Sequence, residues 1–538
     1  MDFKIIKREE RVRDYILPCK IKKVSGNIAN SGALLKQKKL QIALSEPDSM
    51  TIKGAGYIIL DFGREFCGGV RILTHTAQGN TKIRLRFGES LTETCADCVP
   101  LQNATATNDH AMRDFEFNLT MYSDMQLGQT GFRFIRLDFY EGCNIIIKSI
   151  VGVYEHRDLK RLGSFECNDE IINKIFDTAA YTVELNMQSM LWDGIKRDRL
   201  VWIGDMHPET LSIISLFGKH ECVTEALTFI REITPLPGFM NTMPAYSLWW
   251  LAILSDYFMQ NADYKLLESE KDYIISLVNF IDGLLDKGGN LNFPDFFLDW
   301  PTAGLPERKA GVYALLAFAM EKTKALYKAL KLDAEILDGM IKRIDKNLSA
   351  CNLKQVLSFK YLAGHSSSKD VLDKLLKGGA EGLSTFMSYY ILSSMALCGK
   401  KTEALEIMKE YYNGMLSRGA TTFWEDFDIK WLEGSGSIDE FPKKGEKDLH
   451  GDYGAYCYKG FRHSLCHGWS SGPVPFIMHH ILGIRVLEEG CKKVEVKPAL
   501  CGLKWFKGSY PTPYGLITVE HNGKNVVVKA PKEVEIVK

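Results

Sequence analysis

The sequence predicts a multidomain chain: a central all-α domain of the (α/α)6 barrel type, flanked by N-terminal and C-terminal β-sandwich domains. Three observations lead there. Apolar and polar residues alternate in strand fashion to about residue 160, recur at helical three- and four-residue steps from Asn168 to about residue 480, and alternate again after Gly490. With 538 residues and 46% hydrophobic content, the chain can bury a large core spread over more than one domain. The boundaries read as 1–163, 164–482 and 483–538.

In the first region Lys82-Ile83-Arg84-Leu85-Arg86-Phe87 alternates polar and apolar. Tyr57 to Phe62 and Phe132 to Leu137 read as further strands, with Gly68-Gly69 and Gly79-Asn80 as turn signals. Asn168 is placed to cap a helix whose apolar positions are Ile172, Ile175, Phe176, Ala179 and Val183. Further helices are expected over 220–233, 245–260, 264–286, 306–330, 334–350, 367–377, 383–398, 401–417 and 470–482. Short loops make neighbours antiparallel, and six such hairpins close into a barrel; periodicity alone also allows a solenoid, against which stands the lack of a fixed repeat length. Near the end Lys493-Val-Glu-Val-Lys497 alternates, and Asn522-Gly523 sits between Ile517–Val519 and Val526–Val528 as a hairpin turn.

Composition excludes several function classes. Lys plus Arg and Asp plus Glu each total 67, so there is no net basic field to gather nucleic acid or an anionic membrane surface. The charged start MDFKIIKREERVRDY lacks a signal-peptide pattern and no window has the roughly 18 apolar residues of a membrane span, so a cytoplasmic location is expected. Thirteen scattered cysteines fit reduced, buried thiols, and the sole CxxC, Cys95-Ala-Asp-Cys98, has no second pair to complete a zinc site. No HExxH or comparable spacing appears, so neither metal nor cofactor is expected. Cys466 beside His467 reads as packing, because neighbours in sequence rarely aim at one point. Oligomeric state stays open, a homo-oligomer included.

Chemistry concentrates in four loops that each set an acid or histidine beside a tryptophan. Asp193-Gly-Ile-Lys-Arg-Asp-Arg-Leu-Val-Trp-Ile-Gly-Asp205 carries Gly194, Gly204 and a following Pro208, which favour a loop leading into a helix. Were it helical from Asp198 on, Asp198, Trp202 and Asp205 would share a face. The others are Phe297-Leu-Asp-Trp-Pro301, Phe423-Trp-Glu-Asp-Phe427 and Ser464-Leu-Cys-His-Gly-Trp469. A buried tryptophan needs one partner for its N–H, so four such loops exceed what packing asks. Sugars suit the combination: carboxylates and histidine bond hydroxyls, indoles cover the C–H face, and two carboxyls can cleave the glycosidic bond.

The 193–205 stretch resembles the catalytic-loop motif of bacterial α-L-rhamnosidases, glycoside hydrolase family 78, and Ala420-Thr-Thr-Phe-Trp-Glu425 resembles their second catalytic motif. Asp61-Phe-Gly-Arg64, Arg86-Phe-Gly-Glu89 and Gly131-Phe-Arg-Phe134 are similar to the family's N-terminal β-domain, and Pro511-Thr-Pro-Tyr-Gly515 to its C-terminal one. The resemblance implies a six-hairpin glycosidase barrel and an inverting hydrolase that removes terminal α-L-rhamnose from a small glycoside or oligosaccharide. By position it makes Asp198 the general acid and Glu425 the general base, with Asp193, Arg197, Trp202, Asp205, Trp300, Trp424 and His467 binding or flanking the sugar. The chain departs from the family at Asp198, where the acid is commonly Glu, and Asp193 or Asp205 are fallback acids. Alternatives are another sugar on the same barrel, or a rhamnoside-binding homologue that has lost catalysis. Arg197 is expected to face the sugar or pair with Asp193 or Asp205, leaving the Asp198 carboxyl against Trp202, because a pairing arginine would lower the acid's pKa.

Overall fold

The computed structural model describes residues 4–97, 113–348, 351–456 and 458–538; Cys98 of the CxxC lies outside them. Strands β1 (Arg11–Ile16), β2 (Lys20–Ala29), β3 (Met50–Gly79), β4 (Lys82–Gly88), β5 (Asp114–Asn118), β6 (Ser123–Phe139) and β7 (Cys143–Arg157) form one antiparallel sheet in the order β1-β7-β3-β6-β4-β5, with β2 also on β3. This differs from two separate sheets. The 30-residue β3 pairs with β2, β6 and β7 in turn, and its register breaks between Asp61 and Phe66 and again between Gly68 and Val70. Gly63 and Gly68 take positive φ there, so the strand turns without leaving the sheet. Ile58, Leu60, Phe66, Val70, Leu85, Phe132 and Ile147 fill the enclosed core.

The helical region alternates two kinds of helix. Met206–Leu216, Pro244–Asn261, Arg308–Ala329, Lys354–Leu362, Ser388–Leu397 and Pro473–Phe476, the last continuing as a π-helix over Ile477–Ile481, are buried along most of their length. Each packs on the next, and the last on the first. Between them come helices with one buried face: Glu221–Glu232, Tyr264–Gly283, Glu335–Ile344 and Ser368–Leu376, together with Lys401–Leu416 and Glu170–Asn186. Lys354–Leu362 has no counterpart among the expected helices: a short segment buried on every side shows no apolar stripe.

The first helix is capped by Asp169, not Asn168. The Asp169 carboxylate accepts from Ile171 N and Ile172 N at 3.0 and 3.3 Å, where its charge also meets the helix dipole. Asn168 Oδ1 instead accepts from Lys504 N and Trp505 N at 2.6 and 3.3 Å, tying the helix start to the end of the chain.

That tie is extended by β8 (Ser164–Cys167), the edge of a four-stranded sheet with β11 (Phe506–Thr512), β12 (Gly515–His521) and β13 (Val526–Lys529). The β12–β13 hairpin turns at Asn522-Gly523 as expected. Strands β9 (Ile484–Val486), β10 (Lys493–Val496) and β14 (Glu535–Val537) make a second small sheet.

Candidate active site

Residues 193–205 form a loop, and the helix Met206–Leu216 begins directly after it. Asp198 and Arg199 both take left-handed backbone, φ 55° and 54°, which turns the chain sharply in mid-loop. The Asp193 carboxylate clasps the loop by accepting from Leu200 N at 2.9 Å, and Asp193 O accepts from Gly468 N at 2.8 Å. A bridge between Gly194 and His467 completes the contact with the loop around residue 467. Arg199 leaves the site, donating to Gln129 O of β6 at 2.8 Å.

Arg197 sits at the centre of the arrangement. Its Nε donates to Arg462 O at 2.8 Å, Nη1 to Asp198 Oδ1 at 3.2 Å and Nη2 to Glu425 Oε1 at 2.5 Å. The expected pairing of Arg197 with Asp193 or Asp205 is therefore corrected: one guanidinium spans Asp198 and Glu425. The reason is geometric, since the turn at Asp198 brings its carboxyl back beside the preceding side chain. The contact with Asp198 is single and long, not a bidentate clamp.

Glu425 is buried. Its Oε2 accepts from Ser464 N at 3.1 Å, its N–H donates to Ser464 O at 3.0 Å, and its carbonyl accepts from Thr385 Oγ1 and Trp469 Nε1 at 2.6 and 2.9 Å. Burial raises the Glu425 pKa, and Arg197 only partly offsets it.

His467 Nε2 lies 3.5 Å from Glu425 Oε1 and 3.8 Å from both Asp193 Oδ2 and Asp205 Oδ2, so three carboxyls from two distant segments converge on one ring nitrogen. Burial holds the imidazolium well below its usual range, so the ring is neutral. Burial, and then the neighbouring acids, hold Asp193 well above the usual carboxylate range; burial does the same for Asp205, whose Oδ1 accepts from Tyr246 OH at 2.9 Å.

Trp202 is half-buried, edge-on to Tyr246, and Trp300 is half-buried, stacked on Tyr456. Trp300 lines a narrow crevice with Asp299, Glu425, Asp426, Tyr458 and Trp469. Trp424 is not among them: it is 1% exposed and packs edge-on to Phe427 and His463. Cys466 is a buried thiol pushed up by burial, with the Asn186 amide 3.8 Å from its sulfur.

Four residues unassigned in the sequence belong here. Burial raises Asp299 to about 6 and Asp426 to about 7. Tyr458 lies 5.3 Å below the Arg197 guanidinium. Glu209, on the helix that follows the loop, is buried with both carboxyl oxygens lacking a hydrogen-bond partner among the described residues; burial, then Asp205 and Asp193, raise its pKa well above normal. Asp299 and Asp426 each neighbour a tryptophan in the flagged loops, a signal that was present; Glu209 lies in an unremarkable helical run.

Three domain models of one family match the chain in order: the bacterial α-L-rhamnosidase concanavalin-like domain over 52–153, the six-hairpin glycosidase domain over 160–290 and the C-terminal domain over 483–536. An α-L-rhamnosidase of Formosa agariphila is 25% identical over 216 residues, 38% of this chain and 21% of that protein, so the match spans about a fifth of that relative's length. Among solved structures, the family 78 rhamnosidase of Bacillus sp. GL1 superposes with a TM-score of 0.72 at 19% identity, covering 94% of this chain and 55% of that one. A rhamnosidase from Klebsiella oxytoca with rhamnose bound gives 0.69 at 18% identity, covering 87% and 96%. These structures share the fold.

Proposed function

This chain belongs to the bacterial α-L-rhamnosidase family, and we propose on that premise that it hydrolyses terminal non-reducing α-L-rhamnose from small rhamnosides with inversion, Asp198 acting as general acid and Glu425 as general base. The observation that carries the reading is the Arg197 guanidinium held between the two. Its contacts of 3.2 and 2.5 Å place the two carboxyl oxygens no more than about 8 Å apart, a bound compatible with the separation an inverting pair needs. The cycle of six buried helices, each packed on the next, supports an (α/α)6 barrel with this site at the loops that open them. Asp193, Asp205, Trp202, Trp300 and His467 flank the sugar, whereas Trp424 backs Glu425 from the core.

In the reaction Glu425, a stronger base for being buried, takes a proton from the attacking water, while Asp198 delivers one to the leaving oxygen. Asp198 needs that proton in place, so the entering substrate must draw Arg197 away from it; the single 3.2 Å contact is the weaker of the two carboxylate bonds. A second assignment has a specific observation behind it. Burial holds the pKa of Asp193 and of Asp205 well above the usual carboxylate range, and either can serve as acid if Asp198 stays paired. Leaving groups of low pKa need no acid, so whichever of D193N, D198N and D205N loses least on an activated aryl rhamnoside, relative to an alkyl one, marks the acid.

The reading as a whole is tested with a panel of chromogenic glycosides and proton NMR of the released sugar. Release from the α-L-rhamnoside with β-rhamnose appearing first is expected; activity on another sugar only, or α-rhamnose first, overturns it. A cytoplasmic location and small rhamnosides as substrates complete the proposal, and cell fractionation checks the former.

A further inference from the structure

Beneath the loops that carry Arg197 and Glu425 lies a second group of acids, all from the N-terminal sheet domain: Glu65 on β3, Glu89 just after β4, and Glu93 on the short helix Leu91–Cys95. All three are at most 2% exposed. They face Lys196, which is wholly buried next to Arg197. Its ammonium lies 2.8 Å from Glu89 Oε2 and 3.1 Å from Glu93 Oε1, and it also donates to Phe461 O and His463 O. Glu93 has further cationic support from Arg113 at 2.7 Å, and although burial pushes its pKa up, Arg113 and Lys196 outweigh this and hold it at about 2.

Glu89 reaches further than Lys196. Its Oε2 accepts from Leu465 N at 2.7 Å and its Oε1 from Ser464 Oγ at 3.3 Å. Ser464 N is the same backbone donor that holds Glu425 Oε2. One carboxylate of the N-terminal domain thus anchors, one residue away in each case, both the loop that carries Arg197 and the donor that aims Glu425.

Glu65 stands against Glu89. Its Oε2 accepts from Thr422 Oγ1 at 3.1 Å, while Oε1 is buried with no hydrogen-bond partner among the described residues, and the Glu89 carboxyl is close enough to act on Glu65. Two carboxylates cannot share a hydrogen bond without a proton between them, and an unpaired buried charge is costly. Burial and then Glu89 raise Glu65 well above the usual range; burial raises Glu89 as well, and there Lys196 offsets part of it.

We propose that Glu65 and Glu89 are positioning residues for the proposed rhamnosidase reaction: Glu65 is a neutral acid whose proton is donated to Glu89, and the single negative charge on Glu89 locks Lys196 and Ser464-Leu465 so that Arg197 and Ser464 N hold Glu425. The proposal rests on the reading of the site above, but it makes a demand of its own, because the same substitution must have opposite consequences at neighbouring positions. In Glu65→Gln the amide N–H donates to Glu89 in place of the acid and the amide oxygen keeps Thr422, so kcat should stay within about threefold of wild type. Glu65→Ala, which restores no donor, should lose activity that Glu65→Gln keeps. In Glu89→Gln the charge facing Lys196 is gone and the amide cannot accept from all its partners. There kcat should fall about 100-fold, as for a small misplacement of a reacting group, with KM within about threefold.

Equal losses in Glu65→Gln and Glu89→Gln would overturn the acid–carboxylate pair, and Glu89→Gln with kcat near wild type would remove the positioning role. Should Glu89→Gln not fold, Ser464→Ala carries the kinetic arm: it cuts one strut from Glu89, and a loss seen in KM rather than kcat refutes the proposal. Infrared difference spectra provide an arm that needs no turnover. Wild type minus Glu65→Gln at pH 7 should show the carbonyl stretch of one protonated carboxyl; a carboxylate band instead overturns the pair. Wild type that binds and cleaves no α-L-rhamnoside defeats the functional reading, while the infrared result still decides the pair.

Discussion

Asp205 and His207 stand two residues apart, yet the groups around them are built on opposite principles. His207 Nδ1 meets Tyr390 OH at 2.7 Å and its Nε2 meets Asp256 Oδ2 at 2.8 Å, while Asp256 takes Lys322 at 2.6 and 2.8 Å. Burial pushes the Asp256 carboxyl up, but Lys322 and His207 outweigh it and hold it below the usual range. Around Asp205 the acids outnumber the cations. Asp193, Asp205 and Glu425 crowd about His467, whose Nδ1 has no partner among the described residues; the charge of Glu209 bears on Asp205 and Asp193, and Arg197 is the cation bonded to Glu425. The His207 group lines a cavity of about 420 Å³ against the C-terminal sheets, so proximity to a cavity does not distinguish the two. The balance of charge does: one group is paired throughout, whereas crowded, under-paired carboxyls of raised pKa are what the proposed proton transfers would use.

The comparison breaks most sharply at the proposed acid and base. E425Q and D198N should each lower kcat on an α-L-rhamnoside by about 100- to 10,000-fold, with circular dichroism unchanged. A loss below tenfold in either removes that residue from its role. At the paired group the effect should move from rate to stability. D256N leaves Lys322 without its carboxylate and should cost about 3 kcal/mol in urea unfolding, with kcat and KM of the folded enzyme within about twofold.

Glu209 sharpens the contrast through pH. Its folded-state pKa is raised above the ordinary 4.5, so its contribution is fully present below about pH 4.5 and is lost as pH climbs toward the raised folded value. Unfolding measured across pH should therefore show E209Q gaining on wild type as pH rises above about 5, at up to about 1.4 kcal/mol per pH unit. A constant difference across that window would mean that Glu209 is charged. Y246F is the mildest test. It removes the Tyr246 hydrogen bond to Asp205 Oδ1 and should cost about 1 kcal/mol, read as a rise in KM of roughly five- to tenfold.

Much of this was legible along the chain. The change from two-residue to helical periodicity near residue 168, and back after residue 490, is local information, because it reflects which face of each element is buried. So are the β12–β13 turn and the motif loops that hold Asp198, Glu425 and His467. Lys354–Leu362 was missed because burial on all sides erases its pattern, and the cap moved from Asn168 to Asp169 because either side chain suits the position. The site was legible as a set of loops but not as a set of contacts.

The sequence by itself determined the order of β, α and β regions, the absence of a net charge and the four loops in which acids meet tryptophans. Only the tertiary structure decided that Arg197 joins Asp198 to Glu425, that Trp424 belongs to the core, and that Glu65, Glu89 and Glu209 lie buried around the loops that carry these residues. The physical reason is range. Periodicity and turn chemistry act over a few residues, whereas the protonation and aim of a buried carboxyl depend on what lies within a few ångströms, here supplied by segments as far apart as residues 65, 196, 425 and 464.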